Sequence, residues 1–171
     1  MKTLIISSSL SETSKSYILC KEIYKRLSLK NIEIEFVDAR NLNLNPYHKQ
    51  VTDCMKNLTL KVEETDNIII GMGVHCYSIN DALKIILDNC FDKANSKFFG
   101  IACAAGGEKS YLSTQHLTQI CMNEWRMIQL PRIVYATGKD FQEDRLANKD
   151  VMKRLDIFTE EFYNIGSKLI S

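Results

Sequence analysis

Residues 3–16 read TLIISSSLSETSKS. The apolar run Leu4-Ile5-Ile6 has the character of a short buried strand, and it passes without a break into a tract with seven hydroxyls in the ten positions 7–16. That tract holds no glycine, no proline and two charges, Glu12 and Lys15. From residue 14 to about residue 29, apolar side chains recur at 19, 23 and 27, with 20 and 24 beside them, which is one face of a helix. Strand, hydroxyl-rich loop and helix in succession make one β-α unit. The fold class turns on whether that unit repeats.

The unit occurs five times. Residues 32–37 (IEIEFV) alternate as a second strand; NLNLNPYH is a loop, and a weaker helix covers residues 51–64. Residues 67–72 (NIIIGM) form a third, buried strand, followed by a helix over 79–92 with Ala82, Leu83, Ile86 and Cys90 on one side. Residues 97–103 (KFFGIAC) make a fourth strand, and a helix over 111–125 turns Leu117, Ile120, Cys121 and Trp125 inward. The fifth strand is 127–134 (MIQLPRIV), where Pro131 indicates an edge position because proline cannot donate to a central ladder. The last helix repeats at Val151, Leu155, Phe158, Phe162, Ile165 and Leu169.

Strands alternating with helices imply a parallel sheet covered on both faces. Five strands in 171 residues suit the flavodoxin-like order 2-1-3-4-5 better than a six-stranded dinucleotide fold. The expectation is an α/β, three-layer flavodoxin-like fold: a five-stranded parallel sheet of order 2-1-3-4-5 with helices on both faces, as a single domain over residues 1–171.

Composition narrows the function classes. With 22 basic and 21 acidic side chains the net charge is +1, which argues against a nucleic-acid partner. No window reaches the length of uninterrupted apolar residues that a spanning helix needs, and the apolar part of MKTLIISSSL is too short for a signal peptide. The six cysteines, at 20, 54, 76, 90, 103 and 121, form no C-x-x-C pair, so no metal site is expected. They read as free thiols acting as small buried hydrophobes in a reducing cytoplasm.

In an open parallel sheet, ligands bind beyond the carboxyl ends of the strands, where the winding reverses; here that point lies between strands 1 and 3. The loops concerned are 7–16, 71–80 and 103–110. The first runs straight into a helix, whose unpaired amide N–H groups and positive dipole end favour an anion. Its hydroxyls add donors, so the tract reads as a phosphate cradle with Glu12 turned to solvent. The local alternative is a capping box in which Ser9 accepts from the helix and Glu12 reaches back. The missing glycines exclude a Walker loop and the G-x-G-x-x-G fingerprint.

These residues carry a resemblance. Ser9-x-x-x-x-Ser14-x-Ser16 after the first strand resembles the phosphate loop of the NADPH-dependent FMN reductase family, flavodoxin-like flavoproteins in which a G-S-x-x-x-x-S-x-S/N loop grips the FMN phosphate. Ser8 stands where the glycine is common. Asp38-Ala39-Arg40-Asn41-Leu42 is similar to the family's D-L-R-x-L stretch. Gly73-Val74-His75-Cys76-Tyr77-Ser78-Ile79, followed by Ala82-Leu83-Lys84 and Leu87-Asp88, is similar to its P-x-Y-x-x-S…L-K…L-D segment. Cys103-Ala104-Ala105-Gly106-Gly107 resembles its S-x-x-G-G loop under the flavin's pyrimidine edge. The likeness runs from residue 2 to about residue 140, and it departs where the family proline is Gly73 and the family tyrosine is His75.

The resemblance implies an NAD(P)H-dependent oxidoreductase. FMN would take hydride from NADPH or NADH and pass electrons to a small-molecule acceptor: free flavin, a quinone, an azo compound, a metal oxyanion or oxygen. It places FMN against Ser9, Leu10, Ser14, Lys15 and Ser16, against Val74, His75, Cys76, Tyr77 and Ser78, and against Ala104, Ala105, Gly106 and Gly107. Tyr77 takes over the aromatic wall, and Lys109 and Arg126 are candidates for a nucleotide phosphate. No catalytic side chain is required. A homodimer or homotetramer is implied, with no membrane partner. Two alternatives stand beside it: an electron carrier of the flavodoxin kind, and a binding module that has lost flavin. A cysteine phosphatase fails because position 82, six beyond Cys76, is alanine, and position 109, six beyond Cys103, is lysine, which lacks the guanidinium fork.

Overall fold

The computed structural model describes residues 1–170. Strand β1 (Lys2–Ser7) is paired in parallel with the edge strand β2 (Glu33–Asp38) on one side and the central strand β3 (Asn67–His75) on the other. Strand β3 pairs in turn with β5 (Phe98–Ala105), from Asn67↔Phe98 to Gly73↔Ala104. The period-two alternation sorts side chains between two layers. Leu4 and Ile6 of β1 join one core with α2 (Asp53–Glu64), α3 (Asp81–Cys90) and α4 (Thr114–Trp125). Ile5 joins the other with α1 (Lys15–Leu27) and α5 (Lys149–Leu169). The three-layer α/β, flavodoxin-like expectation holds, with α1 and α5 on one face and α2, α3 and α4 on the other.

The fifth strand is corrected. Residues 127–134 do not run as one strand; β6 (Ile128–Gln129) and β7 (Val134–Thr137) both pair with β5 at the sheet edge. Between Phe99↔Gln129 and Ala102↔Val134, β5 advances three residues while the edge chain advances five. Pro131 sits in that slack, where its missing N–H costs no ladder bond. The spatial order of 2-1-3-4-5 is kept, but its last member is in two pieces. With the short β4 (Ser78–Ile79) the sheet has seven strands rather than five.

Two other boundaries differ. Strand β3 runs on to His75 and folds back through Cys76-Tyr77 into β4, so residues 71–80 are a hairpin rather than a loop. Beyond β7, a 3₁₀ turn (Gly138–Asp140) leads into a small antiparallel pair, β8 (Phe141–Gln142) and β9 (Arg145–Leu146). In α5 the stripe ends early, because Ile165 and Leu169 are exposed while Gly166 is buried. Helix α1 sits close over β3: a Cβ on Gly71 would lie 2.1 Å from Cys20 Sγ. That approach sets the N-terminus of α1 directly beyond the carboxyl ends of β1 and β3.

The cysteine reading holds for four of the six. Cys20, Cys90, Cys103 and Cys121 are buried, and burial pushes their thiols up to about 12, 11, 12 and 12. Cys54 is half-buried and Cys76 is exposed. Trp125 anchors α4 against Phe91, with ring centroids 5.5 Å apart. No helix of the described residues is long and apolar enough to cross a membrane.

Candidate functional site

The hydroxyl tract divides its labour. Ser14 is the N-cap of α1: its Oγ accepts from the Tyr17 N–H at 3.1 Å and lies 3.1 Å from Ser16 Oγ. Ser9 accepts only from the nearby Ser11 N–H, at 3.3 Å, and Glu12 is exposed, so the capping box of Ser9 and Glu12 does not form. The first turn of α1 carries no acidic residue and opens with Lys15. That reverses the usual charge bias of a helix N-terminus and places a cation beside the free amide ends. Among the described residues Lys15 has no carboxylate partner; its Nζ lies 5.9 Å from the Phe141 ring centre.

A buried amide fastens this loop to β3. The Ser8 N–H donates to the Gly71 carbonyl at 3.0 Å, continuing the β1–β3 ladder by one bond. The next ladder bond would join the Gly73 N–H to the Ser8 carbonyl. Instead the Asn80 side chain is spliced between them: Oδ1 accepts from the Gly73 N–H at 3.1 Å, and Nδ2 donates to the Ser8 carbonyl at 2.9 Å. The Ser8 hydroxyl lies 2.7 Å from the Gly71 carbonyl and 2.9 Å from Asn80 Oδ1, sharing its one proton between them. The far side of the loop is held by Arg40, whose guanidinium pairs with Asp38, donates to the Glu12 carbonyl at 3.2 Å and stacks 4.2 Å from the Tyr17 ring centre.

The β3–β4 hairpin forms the second wall. Its turn consists of Cys76 (φ 49°) and Tyr77 (φ 59°), both in the left-handed region. Each such non-glycine residue costs about 1–2 kcal/mol, and a two-residue hairpin loop usually meets the demand with Asn-Gly. Ile79 roots the hairpin in the core, and His116 Nδ1 of α4 is hydrogen-bonded to Ser78 Oγ at 3.0 Å. His75 Nδ1 stands 3.6 Å from Asp81 Oδ1, with both side chains exposed.

The third wall is the end of β5 and the 3₁₀ turn that follows (Glu108–Ser113). A Cβ on Gly106 or Gly107 would meet nothing within 4 Å, so the space above them is open. The Tyr135 hydroxyl of β7 donates to the Gly107 carbonyl at 2.6 Å, and the Tyr135 ring meets Tyr111 edge-on at 5.2 Å. Burial, chiefly, raises the Tyr135 phenol above its ordinary range. Lys139 pairs with Glu108 across the same rim. Asp140 behind it accepts from the Thr137 N–H at 2.6 Å, the Thr137 hydroxyl at 2.9 Å and the Asn148 amide at 2.6 Å. Burial opposes ionisation there, but those bonds prevail and lower its carboxyl.

Two adjoining clefts open between these walls and share Gly106. One, of about 280 Å³, is lined by Ser9, Ser14, Lys15 and Ser16 from the loop, Val74 and His75 from the hairpin, and Ala104, Ala105 and Gly106 from β5 and the residue after it. The other, of about 550 Å³, is lined by Tyr77, Gly106, Gly107, Lys109, Ser110 and Thr137 among others. Four residues named from the sequence lie outside both linings: Leu10 on the exposed crest of the loop, Cys76 at the hairpin tip, Ser78 under His116, and Arg126, whose guanidinium donates to the Asn123 and Glu124 carbonyls at the end of α4. Sequence reasoning missed Asn80, Tyr135 and Thr137. A larger depression of about 700 Å³, between α3 and α4, is away from the sheet's carboxyl edge. No cluster of three or more His, Cys, Asp or Glu that could hold a metal occurs among the described residues.

A parallel sheet of this order, with a hydroxyl-lined cleft at the carboxyl ends of strands β1 and β3, defines the flavodoxin-like class. Within it the chain belongs to the NADPH-dependent FMN reductase family, which it matches over residues 1–142. It is therefore an enzyme of the FMN-dependent, NAD(P)H-oxidising kind. By sequence, no curated protein matches it. In fold it is similar to the flavoenzyme NAD(P)H:(acceptor) oxidoreductase FerB from Paracoccus denitrificans, with 14% identity, a TM-score of 0.79, and 98% of this chain and 97% of that one covered. It is also similar to an FMN-dependent NADH-azoreductase from Bacillus anthracis str. Ames Ancestor in complex with FMN, at 18% identity, TM-score 0.66 and full coverage of both chains. A third likeness is to the NAD(P)H:quinone oxidoreductase from Methanothermobacter marburgensis, at 11% identity, TM-score 0.68, and 95% and 96% covered.

The residues present fit FMN. Free amides, Ser9, Ser14 and Ser16 hydroxyls and the unpaired Lys15 make an anion-seeking donor set with no carboxylate in the lining. The open face of Gly106-Gly107 leaves room for a flat ring close to the backbone.

Proposed function

We propose that the chain is a single-domain oxidoreductase that uses NADPH or NADH, through FMN held in the two clefts, to reduce free flavin, a quinone or an azo compound. The convergence of the 8–16 loop, the β3–β4 hairpin and the Gly106-Gly107 turn at one edge of the sheet carries this reading. The activities of the azoreductase and quinone oxidoreductase neighbours support the acceptor classes. Bound FMN would supply the two-electron relay between nicotinamide and acceptor.

The chain's own residues bind and orient. The α1 N-terminus, Ser9, Ser16 and Lys15 meet the phosphate, where each bond to a charged group contributes about 1.5–3 kcal/mol. Ser14 caps the helix that presents them. Val74, His75, Ala104 and Ala105 border the cofactor between its phosphate and its ring, Gly106 and Gly107 give the ring close access to backbone, and Tyr77 stands at the outer cleft. We place the enzyme in the cytoplasm as a homodimer or homotetramer, which sedimentation of the purified protein tests.

The decisive experiment is visible absorption of the purified protein before and after addition of FMN and desalting. A retained flavin band is expected. In Ser16→Ala, the FMN Kd should rise at least tenfold with thermal stability near wild type. Ser14→Ala is a poorer probe, because it also removes a cap worth about 1 kcal/mol. A wild-type protein that stays colourless in FMN sinks the reading.

A further inference from the structure

Tyr77 is in the wrong conformation for its residue type, and the fold makes no use of its side chain. Among the described residues, Cys76-Tyr77 is the one pair of consecutive non-glycine residues with positive φ. A strained backbone persists when its surroundings determine it or when function requires it. Here the surroundings do little: the turn is closed by the pairs His75↔Ser78 and Val74↔Ile79 alone. Tyr77 is 64% exposed, and among the described residues its side chain makes no hydrogen bond and no ring contact. A glycine in its place would relieve the backbone and lose no packing.

What Tyr77 does touch is the larger cleft, whose lining it shares with Gly106 and Gly107. With the FMN ring laid on the Gly106-Gly107 backbone as proposed above, Tyr77 borders the open side of the same cleft, where a flat conjugated molecule would meet both the phenol and the flavin, since aromatic rings favour offset or edge contacts with other π systems. Lys109, a lining cation without an ion-pair partner among the described residues, favours carbonyl or anionic substituents on that molecule. Cys76 lines neither cleft, so the strain serves the tyrosine rather than the thiol.

We infer that Tyr77 is the specificity residue for the electron acceptor: its ring is held at the outer cleft by a strained turn, to stack on flat conjugated acceptors. This rests on the oxidoreductase reading above. The test compares FMN-loaded wild type, Tyr77→Gly, Tyr77→Phe and the double variant Cys76→Asn/Tyr77→Gly. Thermal midpoints should rise by about 3 °C in Tyr77→Gly and further in the double variant. At the same time, kcat/KM for menadione relative to that for ferricyanide, which presents no flat ring, should fall about tenfold, mainly through KM. Tyr77→Phe should keep both the wild-type midpoint and the wild-type ratio. No gain in midpoint, an unchanged acceptor ratio, or a Phe variant that behaves like the Gly variant overturns the inference while the FMN reading stands. A wild-type protein that holds no FMN overturns both.

Discussion

Two of the three walls of the candidate site, the 8–16 loop and the β3–β4 hairpin, are built on opposite principles. The 8–16 loop is pinned from inside and outside: Asn80 is spliced into the β1–β3 ladder beneath it, and Arg40 grips the Glu12 carbonyl from the flank. Its important hydroxyls, on Ser8, Ser14 and Ser16, are buried and already oriented. The hairpin opposite is closed by two residue pairs, carries strain at Cys76-Tyr77, and presents exposed side chains. Its His75–Asp81 contact is solvated on both sides and adds little. The contrast teaches where preorganisation matters. In the proposed function the loop meets a phosphate, which has one shape and charge, so donors fixed in advance would bind it with little ordering cost. Acceptors vary in shape, and a lightly held edge tolerates that variation.

The strongest way to break the contrast is Asn80→Ala. It leaves the Gly73 N–H and the Ser8 carbonyl without their partner, which should cost about 3 kcal/mol. Thermal unfolding should then drop by about 6–12 °C. A loss of only a degree or two would mean that the loop is no better held than the hairpin.

Arg40→Met probes the outer fastening. Losing the Asp38 pair and the Glu12 contact should cost about 1 kcal/mol. FMN titration should show affinity reduced a few-fold, with acceptor preference unchanged. If acceptor preference shifts instead, the two walls are coupled and the contrast is too sharp.

The smallest effect is expected in acid. The Asp140 carboxyl is held below its ordinary value of 3.8 by Thr137 and Asn148, against the opposing effect of burial. A lowered folded value means that its stabilisation is present above pH 3.8 and is lost as pH falls through the folded value. Asp140→Asn should therefore flatten the acid limb of the stability profile below about pH 4, relative to wild type, in urea titrations at stepped pH. An unchanged limb would show that the rim behind the outer cleft is not held by that charge.

Much of this architecture was legible in the chain. The helical faces of α1 and α3 and the buried runs of β1, β3 and β5 appear at their expected places, because burial on one side imposes its period on local sequence. Reading the switch point from strand order then pointed to three segments, which the structure brings together at one edge of the sheet. Pro131 marked the edge correctly, yet the break in that strand was hidden: LPRIV is apolar and β-branched enough to pass as continuous. The hairpin was hidden for a related reason, since Cys-Tyr is not a turn dipeptide by composition. Asn80 looked like an ordinary residue ahead of a helix, and its partner Ser8 lies 72 positions away.

By itself, the sequence determined that strands and helices alternate around a parallel sheet covered on both faces, and that a hydroxyl-rich, glycine-free loop would open a helix at the sheet's carboxyl edge. Those properties depend on periodicity within a few turns of chain. Only the tertiary structure decided which hydroxyl caps, which one is buried, what fastens the loop, and that Tyr77 is held against its backbone preference beside Gly106-Gly107. Such choices are set by contacts between strands and turns far apart in sequence, where geometry, not local pattern, determines which polar groups meet.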